Sequence, residues 1–321
     1  MLASIAKNWF LIALAICFTV GYVGADYLRP LLDVPYLRSG IVFTVMWMMG
    51  VTLQANTIRR SFTRPMPAVL AISTNVAVVP LFCLPTMFLL PEPFFGGLFV
   101  ATIVPCTLAS ASVWTRKADG DDSVAMMTTV VTNLACFVVV PIGILLVLSQ
   151  QTEINVGEQV GKLSLLVVAP LILAQIMRWL GLADWADHNK PRLSALGQIG
   201  ILSMVVFGAV AGAQFVDGVA EENSSLMSPL SIATLVVTAA AIHIAALAFG
   251  IGVAKSVGID RARQIAIGIA GSQKTLMVGL QIAIDCGVSV VPMLVYHLSQ
   301  LVIDTIIAQR WKQGNDSQES A

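Results

Sequence analysis

Residues 268–284, GIAGSQKTLMVGLQIAI, combine the apolar sequence of a membrane helix with a lysine, Lys274, near their centre. Small and polar residues, among them Gly271, Ser272 and Gln273, come immediately before the lysine. A charged residue at mid-membrane costs about 2.5–3.5 kcal/mol on insertion scales, so it normally faces a cavity or a partner. Apolar chain on both sides argues against an ammonium that snorkels to the interface. The stretch therefore predicts a membrane helix that is interrupted at a functional site.

Composition indicates a polytopic membrane protein in a lipid bilayer. Hydrophobic residues make up 57% of the 321 residues and charged residues only 11%, whereas a soluble domain has about 25% charged residues. The formal net charge is zero, so we expect no nucleic-acid partner. The five cysteines lie in or beside apolar runs and are interpreted as buried hydrophobes, not as a disulfide framework or a zinc site. We expect no cofactor and no bound metal.

Ten apolar segments are candidates for membrane spans, because a helix needs about 20 mostly apolar residues to cross about 30 Å of hydrocarbon. The first segment is interpreted as a membrane helix and not as a signal peptide, since many more spans follow it. The polar residues 310–321 are predicted to form a disordered tail. The predicted spans are 9–26, 37–56, 67–90, 94–115, 122–149, 160–182, 193–215, 229–254, 262–284 and 288–309.

The distribution of basic residues predicts the orientation of the chain. With the N-terminus inside, most of the 18 lysines and arginines fall in inner loops. The outer loops then hold only Arg29, Arg38 and Lys162. This bias predicts an even number of spans with both termini in the cytoplasm, and the bacterial inner (plasma) membrane is the expected location.

Polar residues recur at matching places in the two halves of the chain. The intervals between successive matched residues differ by only one residue between the halves. Because each half has five spans, the second half must enter the membrane from the opposite side. Inverted repeats with one interrupted helix per half are typical of secondary transporters. We therefore expect one transporter unit, 1–321, with repeats at about 9–149 and 160–309 and these matched pairs: Asn75 with His243, Pro105 with Ser272, and Thr132 with Gln300.

Three segments carry a resemblance to a known family: 105–134 (PCTLASASVWTRKADGDDSVAMMTTVVTNL), 271–284 (GSQKTLMVGLQIAI) and 293–303 (MLVYHLSQLVI). Their order and spacing resemble the bile acid:sodium symporter superfamily. Residues 7–16 (KNWFLIALAI) and the S/T-x-K-S/T-L form of span 9 are similar to its SBF-like branch, which includes solute carrier family 10 member 7. The resemblance implies an all-α, ten-helix fold with panel and core domains, in which the broken spans 4 and 9 cross. It also implies sodium ions behind that crossing and an organic anion, such as a bile acid, in front of it.

The positions that the resemblance assigns to sodium are only partly kept. Ser110 stands at a liganding serine of span 4, but Ala111 replaces the neighbouring asparagine. Thr132 stands near a liganding threonine of span 5, with Thr128 one turn before it. Asn75 stands where span 3 of the family usually has a glutamine.

Span 9 departs from the family pattern, because Ala270 stands in place of the glutamate shared by both sodium sites and Lys274 in place of a glutamine. Three roles of the ammonium remain open. It could fill the space of a sodium ion and donate to the carbonyls of the broken helices and to Ser110, Thr132 or Gln300. It could instead bind an anionic substrate with the help of the half-helix dipoles, or it could carry protons after losing its own.

The remaining polar residues have alternative interpretations. His243 is either a proton relay or an interhelical hydrogen-bonding residue. Asn133 is interpreted as a packing amide, Asp304 as a solvated residue at the cytoplasmic end of span 10, and the acidic run 118–122 as a cap of span 5. The candidate residues for an ion or substrate site are Lys274, Ser272, Gln273, Thr275, Ser110, Ser112, Asn75, Thr128, Thr132, His243, His297 and Gln300.

The sequence favours a secondary transporter that moves a small organic anion by alternating access, with Lys274 replacing a sodium ion at the helix crossing and with Na⁺ or H⁺ as possible coupling ions. An uncoupled or proton-coupled facilitator, a channel or a regulatory membrane protein is the alternative. We expect no enzyme, because the only suggestive pair, Ser272 and Lys274, would point apart on a helix.

Overall fold

The computed structural model describes residues 9–54, 65–108, 110–148, 155–222 and 228–319, except for the side chains of 11, 156, 216–222 and 313–319. Regular structure in these residues is entirely helical. The helices are α1 (Trp9–Val23), α2 (Ala25–Leu32), α3 (Leu37–Val51), α4 (Pro65–Phe88), α5 (Glu92–Ile103), α6 (Ser110–Lys117), α7 (Asp122–Val147), α8 (156–182), α9 (Ala183–His188), α10 (Lys190–Glu222), α11 (Pro229–Ser256), α12 (Arg261–Ser272), α13 (Leu276–Asp285) and α14 (Val291–Glu319).

Six helical stretches of the described chain are long and apolar enough to cross a membrane. A seventh is added if α1 and α2, which are bent by 94° relative to each other, form one span. Helices α3 and α5 are apolar but have only 15 and 12 residues, short of the roughly 20 that a span needs. The predicted all-α membrane fold is confirmed at this level, and the count of ten spans stays a prediction.

One of the six stretches, Gly157–Phe215, is a helical run of 59 residues. A straight helix of this length would measure about 90 Å, roughly three times the thickness of the hydrocarbon layer. The run is kinked at Gly181, whose φ of 110° is accessible mainly to glycine. The kink lies at the end of predicted span 6, so two crossings fit this run better than one.

The structure corrects three boundaries. Predicted span 1 bends by 94° after Val23, at Gly24, whose φ of −90° and ψ of 15° depart from helical values. The sequence predicts that span 9 is unwound near Ala270–Gln273, but it remains helical through Ser272 and is broken at residues 273–275. The tail predicted to be disordered is helical as far as Glu319 and continues α14 without a break. Predicted residues 55–56, 149 and 320–321 lie outside the described residues.

The broken helix α12–α13 lies at the centre of the molecule. In its most apolar window 94% of the residues are buried, against 33–50% in the other five stretches. Helix α12 packs on α4, α6, α7 and α11, and α13 packs on α5, α10 and α14. Protein therefore replaces lipid around Lys274, the setting in which a charged residue is tolerated within a membrane.

The acidic run before span 5 caps a helix, as predicted. The carboxylate of Asp121 accepts hydrogen bonds from the backbone N–H (3.1 Å) and the hydroxyl (2.6 Å) of Ser123, in the first turn of α7. The guanidinium of Arg263, in the first turn of α12, contacts the same carboxylate at 3.4 Å. This contact ties the beginning of α7 to the beginning of α12.

Candidate functional site

Two broken helices meet in the interior. The first break lies between Ile103 and Ser110, and the second covers residues 273–275. The backbone N–H of Thr275 donates to the carbonyl of Pro105 at 2.9 Å, so the two breaks contact each other directly. Broken helices leave carbonyls without intrahelical partners, and each costs several kcal/mol in hydrocarbon unless another donor satisfies it.

In the first break, four consecutive carbonyls accept hydrogen bonds from other elements. Two of the donors come from α7 and two from the second break. The Thr132 hydroxyl adds an acceptor for the backbone N–H of Cys106 at 3.1 Å. The donors to the carbonyls of residues 104 to 107, in order, are Lys274 Nζ (3.0 Å), Thr275 N (2.9 Å), Asn133 Nδ2 (2.9 Å) and Thr129 Oγ1 (3.0 Å).

At the end of α12 and in the second break, side chains from α4, α11 and α14 bond to five consecutive carbonyls, those of residues 270–274. The amide of Asn75 lies within reach of three of them, at residues 270, 271 and 273 (3.2, 3.3 and 2.9 Å). The Tyr296 hydroxyl donates to the Ser272 carbonyl at 3.0 Å, and His243 Nδ1 lies 3.3 Å from the same oxygen. The Gln300 amide donates to the Lys274 carbonyl at 2.9 Å.

The ammonium of Lys274 is fully buried and has three oxygen acceptors for its three protons. They are the Asn75 carbonyl (2.6 Å), the Asn75 Oδ1 atom (3.1 Å) and the Val104 carbonyl (3.0 Å). All three are uncharged. The expected contacts with backbone carbonyls of the broken region are therefore present.

The side-chain partners predicted for the ammonium are wrong. Gln300 binds the backbone N–H and carbonyl of Lys274 instead of its ammonium. Thr132 accepts from the backbone of the first break, and the hydroxyl of Ser110 donates to Gln273 Oε1 at 2.9 Å. The Lys274 side chain extends toward α4 and the end of α5, so its ammonium does not reach these three side chains.

The carbonyl of Asn75 is available because of a local change of helical register. Residues Thr74–Val78 form a π-helical turn, in which the N–H of Val79 bonds to the carbonyl of Thr74, five residues earlier. In this register the donor to the Asn75 carbonyl would be residue 80, which is Pro80 and has no N–H. The carbonyl is thereby left for the lysine. π-Bulges of this kind frequently lie at functional sites.

Gly271 permits close packing and does not interrupt α12. A Cβ atom at this position would lie 2.9 Å from the Cβ of Thr74 on α4, closer than side-chain carbons approach each other. Any larger residue would push α12 away from the π-helical turn. The glycine beside Lys274 therefore brings the acceptors of α4 within reach of the ammonium.

Asp304 is part of the buried polar cluster, and the prediction that it is solvated is wrong. Its side chain is fully buried, because α14 extends far beyond the predicted end of span 10. One carboxyl oxygen lies 3.0 Å from His243 Nε2, and the other accepts a hydrogen bond from the Gln273 amide. The side-chain oxygen of the same Gln273 binds Ser110.

The remaining predicted residues have more local roles. The hydroxyls of Thr128 and Ser272 donate to carbonyls of their own helices. His297 Nδ1 lies 2.8 Å from the Gln300 amide nitrogen. Ser112 is buried on α6, and no hydrogen bond described for this structure links it to Lys274. Residues of the cluster that are absent from the predicted site are Thr129, Asn133, Tyr296 and Asp304.

A cavity of about 230 Å³ adjoins the first break. Side chains of α1, α3, α6, α10 and α14 line it, so the cavity lies between these five helices. The ammonium of Lys117 stacks over the ring of Trp114 at 4.0 Å in the wall. The polar residues in the lining, besides this lysine, are Thr107, Ser110, Ser194, Gln198, His297 and Thr305.

An ion-pair cluster lies at the other end of α13. The Lys162 ammonium contacts the carboxylate of Asp285 at 2.6 Å, and the Arg38 guanidinium lies 3.9 Å from it. The Gln281 amide donates to both oxygens of the same carboxylate at 3.0 Å. The cluster joins the beginnings of α3 and α8 to the end of α13.

Comparison with known proteins shows the family of the chain. The model of the SBF-like CPA transporter family matches residues 8–313, nearly the whole chain. The chain belongs to this family. The resemblance predicted from the sequence motifs is thus confirmed, and with it the assignment to a family of integral membrane transporters.

Relatives of this SBF-like transporter have low sequence identity to it, but the matches cover most of each chain. An uncharacterized protein of Pseudomonas aeruginosa is 29% identical over 240 residues, which cover 72% of this chain and 69% of that protein. Sodium/bile acid cotransporter 7 of Danio rerio is 23% identical over 338 residues, covering 98% of this chain and 97% of its own. Sodium/bile acid cotransporter 7-A of Xenopus laevis is 23% identical over 347 residues, covering 100% and 96%.

Proposed function

We propose that this SBF-like protein is a secondary transporter that moves a small organic anion by alternating access, with the Lys274 ammonium in place of a sodium ion. One observation carries the proposal. The ammonium makes three hydrogen bonds to uncharged oxygens where the two helix breaks meet. An ammonium has the charge of Na⁺, and carbonyl and amide oxygens are the ligands that a hard cation prefers.

The proposed architecture has ten spans in two inverted halves, with α5–α6 and α12–α13 as broken spans 4 and 9. Equivalent polar residues support it. Thr132 of the first half accepts a hydrogen bond from a backbone N–H of the first break, at Cys106. Gln300 of the second half accepts one from a backbone N–H of the second break, at Lys274.

The cavity beside the first break is the proposed substrate site. Its polar lining and the Lys117 ammonium suit an anion, and its apolar walls suit an organic one. With both termini in the cytoplasm of a bacterial cell, the cavity faces inward. The Asp285 ion pairs then close the outer end between α3, α8 and α13, as alternating access requires of an inward-facing state.

Uptake tests the transport proposal. Proteoliposomes that contain the full chain are offered labelled organic anions of graded size, with taurocholate as the largest. At least one should accumulate, and Gln198→Leu in the cavity wall should reduce its uptake about tenfold. Ser203→Ala is the control, since this exposed hydroxyl on the same helix bonds only to Ile199 of its own helix. Absence of uptake across the series, with folded protein, would contradict a transport function for these anions.

Cation dependence of thermal unfolding tests the role of Lys274. The unfolding midpoint of the wild type should be the same in sodium and potassium chloride, because the ammonium already occupies the site. Lys274→Gln combined with Ala270→Glu introduces the amide and carboxylate that the family pattern has, so its midpoint should rise with sodium. Lys274→Gln alone is the control. A wild-type midpoint that climbs with sodium but not with potassium would show that a free sodium site survives.

A further inference from the structure

The buried pair of His243 and Asp304 has no task in the proposed exchange of sodium for lysine. Both side chains are fully shielded from solvent. The Nδ1 atom of His243 lies 3.3 Å from the carbonyl of Ser272, and Nε2 lies 3.0 Å from a carboxyl oxygen of Asp304. Because a carbonyl oxygen can only accept, the contact at Nδ1 is a hydrogen bond in the tautomer that carries its hydrogen on Nδ1.

A proton must therefore lie between His243 and Asp304. If Nε2 and the carboxylate were both without a proton, two electron-rich atoms would face each other in a buried site, which is unfavourable. With one proton shared between them, on the nitrogen or on the oxygen, the contact is a hydrogen bond and the pair is neutral overall. Loss of this proton would leave one net negative charge in the core, which the Lys274 ammonium nearby would partly offset.

A chain of directed hydrogen bonds connects the pair to the cavity. The amide of Gln273 donates to Asp304, and its oxygen accepts from the hydroxyl of Ser110, which lines the cavity. The side-chain amide of Gln273 has a donor end, which binds Asp304, and an acceptor end, which binds Ser110. If the amide turns over, both hydrogen bonds are lost together. An anion that accepts a hydrogen bond from the Ser110 hydroxyl leaves the side-chain oxygen of Gln273 without its donor. Gln273 is then free to turn, and this changes the hydrogen bond that Asp304 accepts.

The other ionisable groups around the pair, including two cysteine thiols, already have hydrogen-bond partners. Tyr296 lies with its ring edge-on to His243, and its hydroxyl is bonded to Ser272. Lys274 and His297 are bound to Asn75 and Gln300, respectively. The carboxyl group of this buried site is that of Asp304. The groups facing the pair from the elements packed around it are Tyr296 and His297 of α14, Lys274 of the second break, Cys106 of the first break and Cys83 of α4.

We propose that the His243–Asp304 pair is a proton-binding site whose occupancy is linked, through Gln273 and Ser110, to occupancy of the cavity. The ligand is the proton itself. The link to transport rests on the proposed function of the cavity, whereas the proton site does not. By reciprocity, an anion that changes the affinity for the proton has its own affinity changed by the same factor, and a proton gradient can then drive its movement.

Infrared spectroscopy of the purified full-length protein during a pH titration tests the proton site. The wild-type minus Asp304→Asn difference spectrum should contain a titrating carboxyl or imidazolium band, since the shared proton lies on Asp304 or on His243, whereas the bands of the other acidic residues cancel. An asparagine can keep both contacts, with its amide donating to His243 and its oxygen accepting from Gln273, so the variant should fold. Asp187→Asn, which removes the carboxylate of an exposed ion pair with Arg178, is the control and should keep the band.

One result would overturn the site: a wild-type minus Asp304→Asn difference spectrum in which neither a carboxyl nor an imidazolium band titrates. If Asp304→Asn does not fold, His243→Gln serves instead, because the carboxyl then loses its proton-sharing partner. The midpoint of the band must then move; an unmoved midpoint counts against the pair.

Ser110→Ala tests the link to the cavity. It should keep the band but move its titration midpoint by about half a pH unit or more, as expected when one hydrogen bond of a chain is lost. Thr305→Val, also in the cavity wall, is the control, since its hydroxyl bonds to Leu301 of its own helix. An unchanged midpoint in Ser110→Ala would refute the link. A titrating band without any anion transport would refute the proposed function and leave the proton site standing.

Discussion

Both helix breaks leave backbone carbonyls without intrahelical partners, but different chemical groups bind these carbonyls in the two breaks. In the first, α7 satisfies the carbonyls with neutral groups, the Thr129 hydroxyl and the Asn133 amide. In the second, ionisable groups take part: His243 and Tyr296 surround the Ser272 carbonyl. In the first break the carbonyls of residues 105–107 are therefore bonded to neutral donors, and only the Val104 carbonyl depends on the charge of Lys274. The second is the place where a cation, a proton or an anion can change the structure.

Energetics sharpen this difference. A neutral intramolecular hydrogen bond contributes about 1 kcal/mol net, whereas hydrogen bonds to charged groups contribute about 1.5–3 kcal/mol. Substitutions in the second break should therefore cost more than matched substitutions in the first. They should also respond to the ions in solution, which those in the first should not.

The largest effect is expected for Lys274→Ala. It leaves the Asn75 and Val104 carbonyls and the Asn75 side-chain oxygen without their donor, and buried acceptors cost about 1–3 kcal/mol each when unsatisfied. Relief of the buried charge offsets part of this, so we expect a loss of about 2–4 kcal/mol in the free energy of unfolding, measured by thermal or denaturant unfolding. Lys312→Ala, at an exposed position, is the control and should change little. A loss below about 1 kcal/mol would show that the ammonium does not hold the breaks together.

Asn75→Ala and Asn133→Ala compare the two breaks directly. The Asn75 amide reaches three carbonyls of the second break, and its oxygen also binds the ammonium. The Asn133 amide donates to two carbonyls, one of them in its own helix. We expect losses of about 2–3 kcal/mol and about 1–2 kcal/mol, respectively, by the same measurement. Equal losses, or the reverse order, would remove the distinction between a charged and a neutral break.

The smallest effect on stability is expected for two adjacent threonines of α7, of which one contacts the first break and the other does not. Thr129→Val removes the donor to the Thr107 carbonyl of the first break and should cost about 1 kcal/mol. Thr128→Val is isosteric and adjacent, but its hydroxyl bonds only to Val124 of its own helix, so the cost should be below about 0.5 kcal/mol. Neither variant should respond to sodium. If Thr128→Val were the more costly of the two, the threonine facing the break would be misassigned.

Sequence patterns predicted the region of the site but not all of its contacts. The charge of Lys274 in an apolar run, and the matched spacing of Asn75, Thr132 and Gln300, identified residues that do contact the breaks. Spacing alone does not give the rotation of a helix, and therefore Thr128 was chosen where Thr129 faces the break. Rotation depends on packing against α4 and α12, which only the three-dimensional structure contains.

Asp304 and the Asn75 carbonyl were missed for different physical reasons. Asp304 was placed near a helix end because the apolar pattern fades there, whereas α14 continues to Glu319. The free carbonyl of Asn75 depends on a π-helical register that ends at Pro80. A proline five residues after a buried asparagine is a signal that could have indicated it.

The long sequence separation of the lysine and its acceptors has a consequence for biosynthesis. Lys274 follows Asn75 by 199 residues and Val104 by 170 residues. At about 5–20 residues per second, the ribosome supplies the donor roughly 10–40 s after the first acceptors are made. During this interval the newly inserted first half carries polar backbone groups without their final partners. The first half is therefore expected to be a poor independent unit in the bilayer, completed only when the last spans arrive.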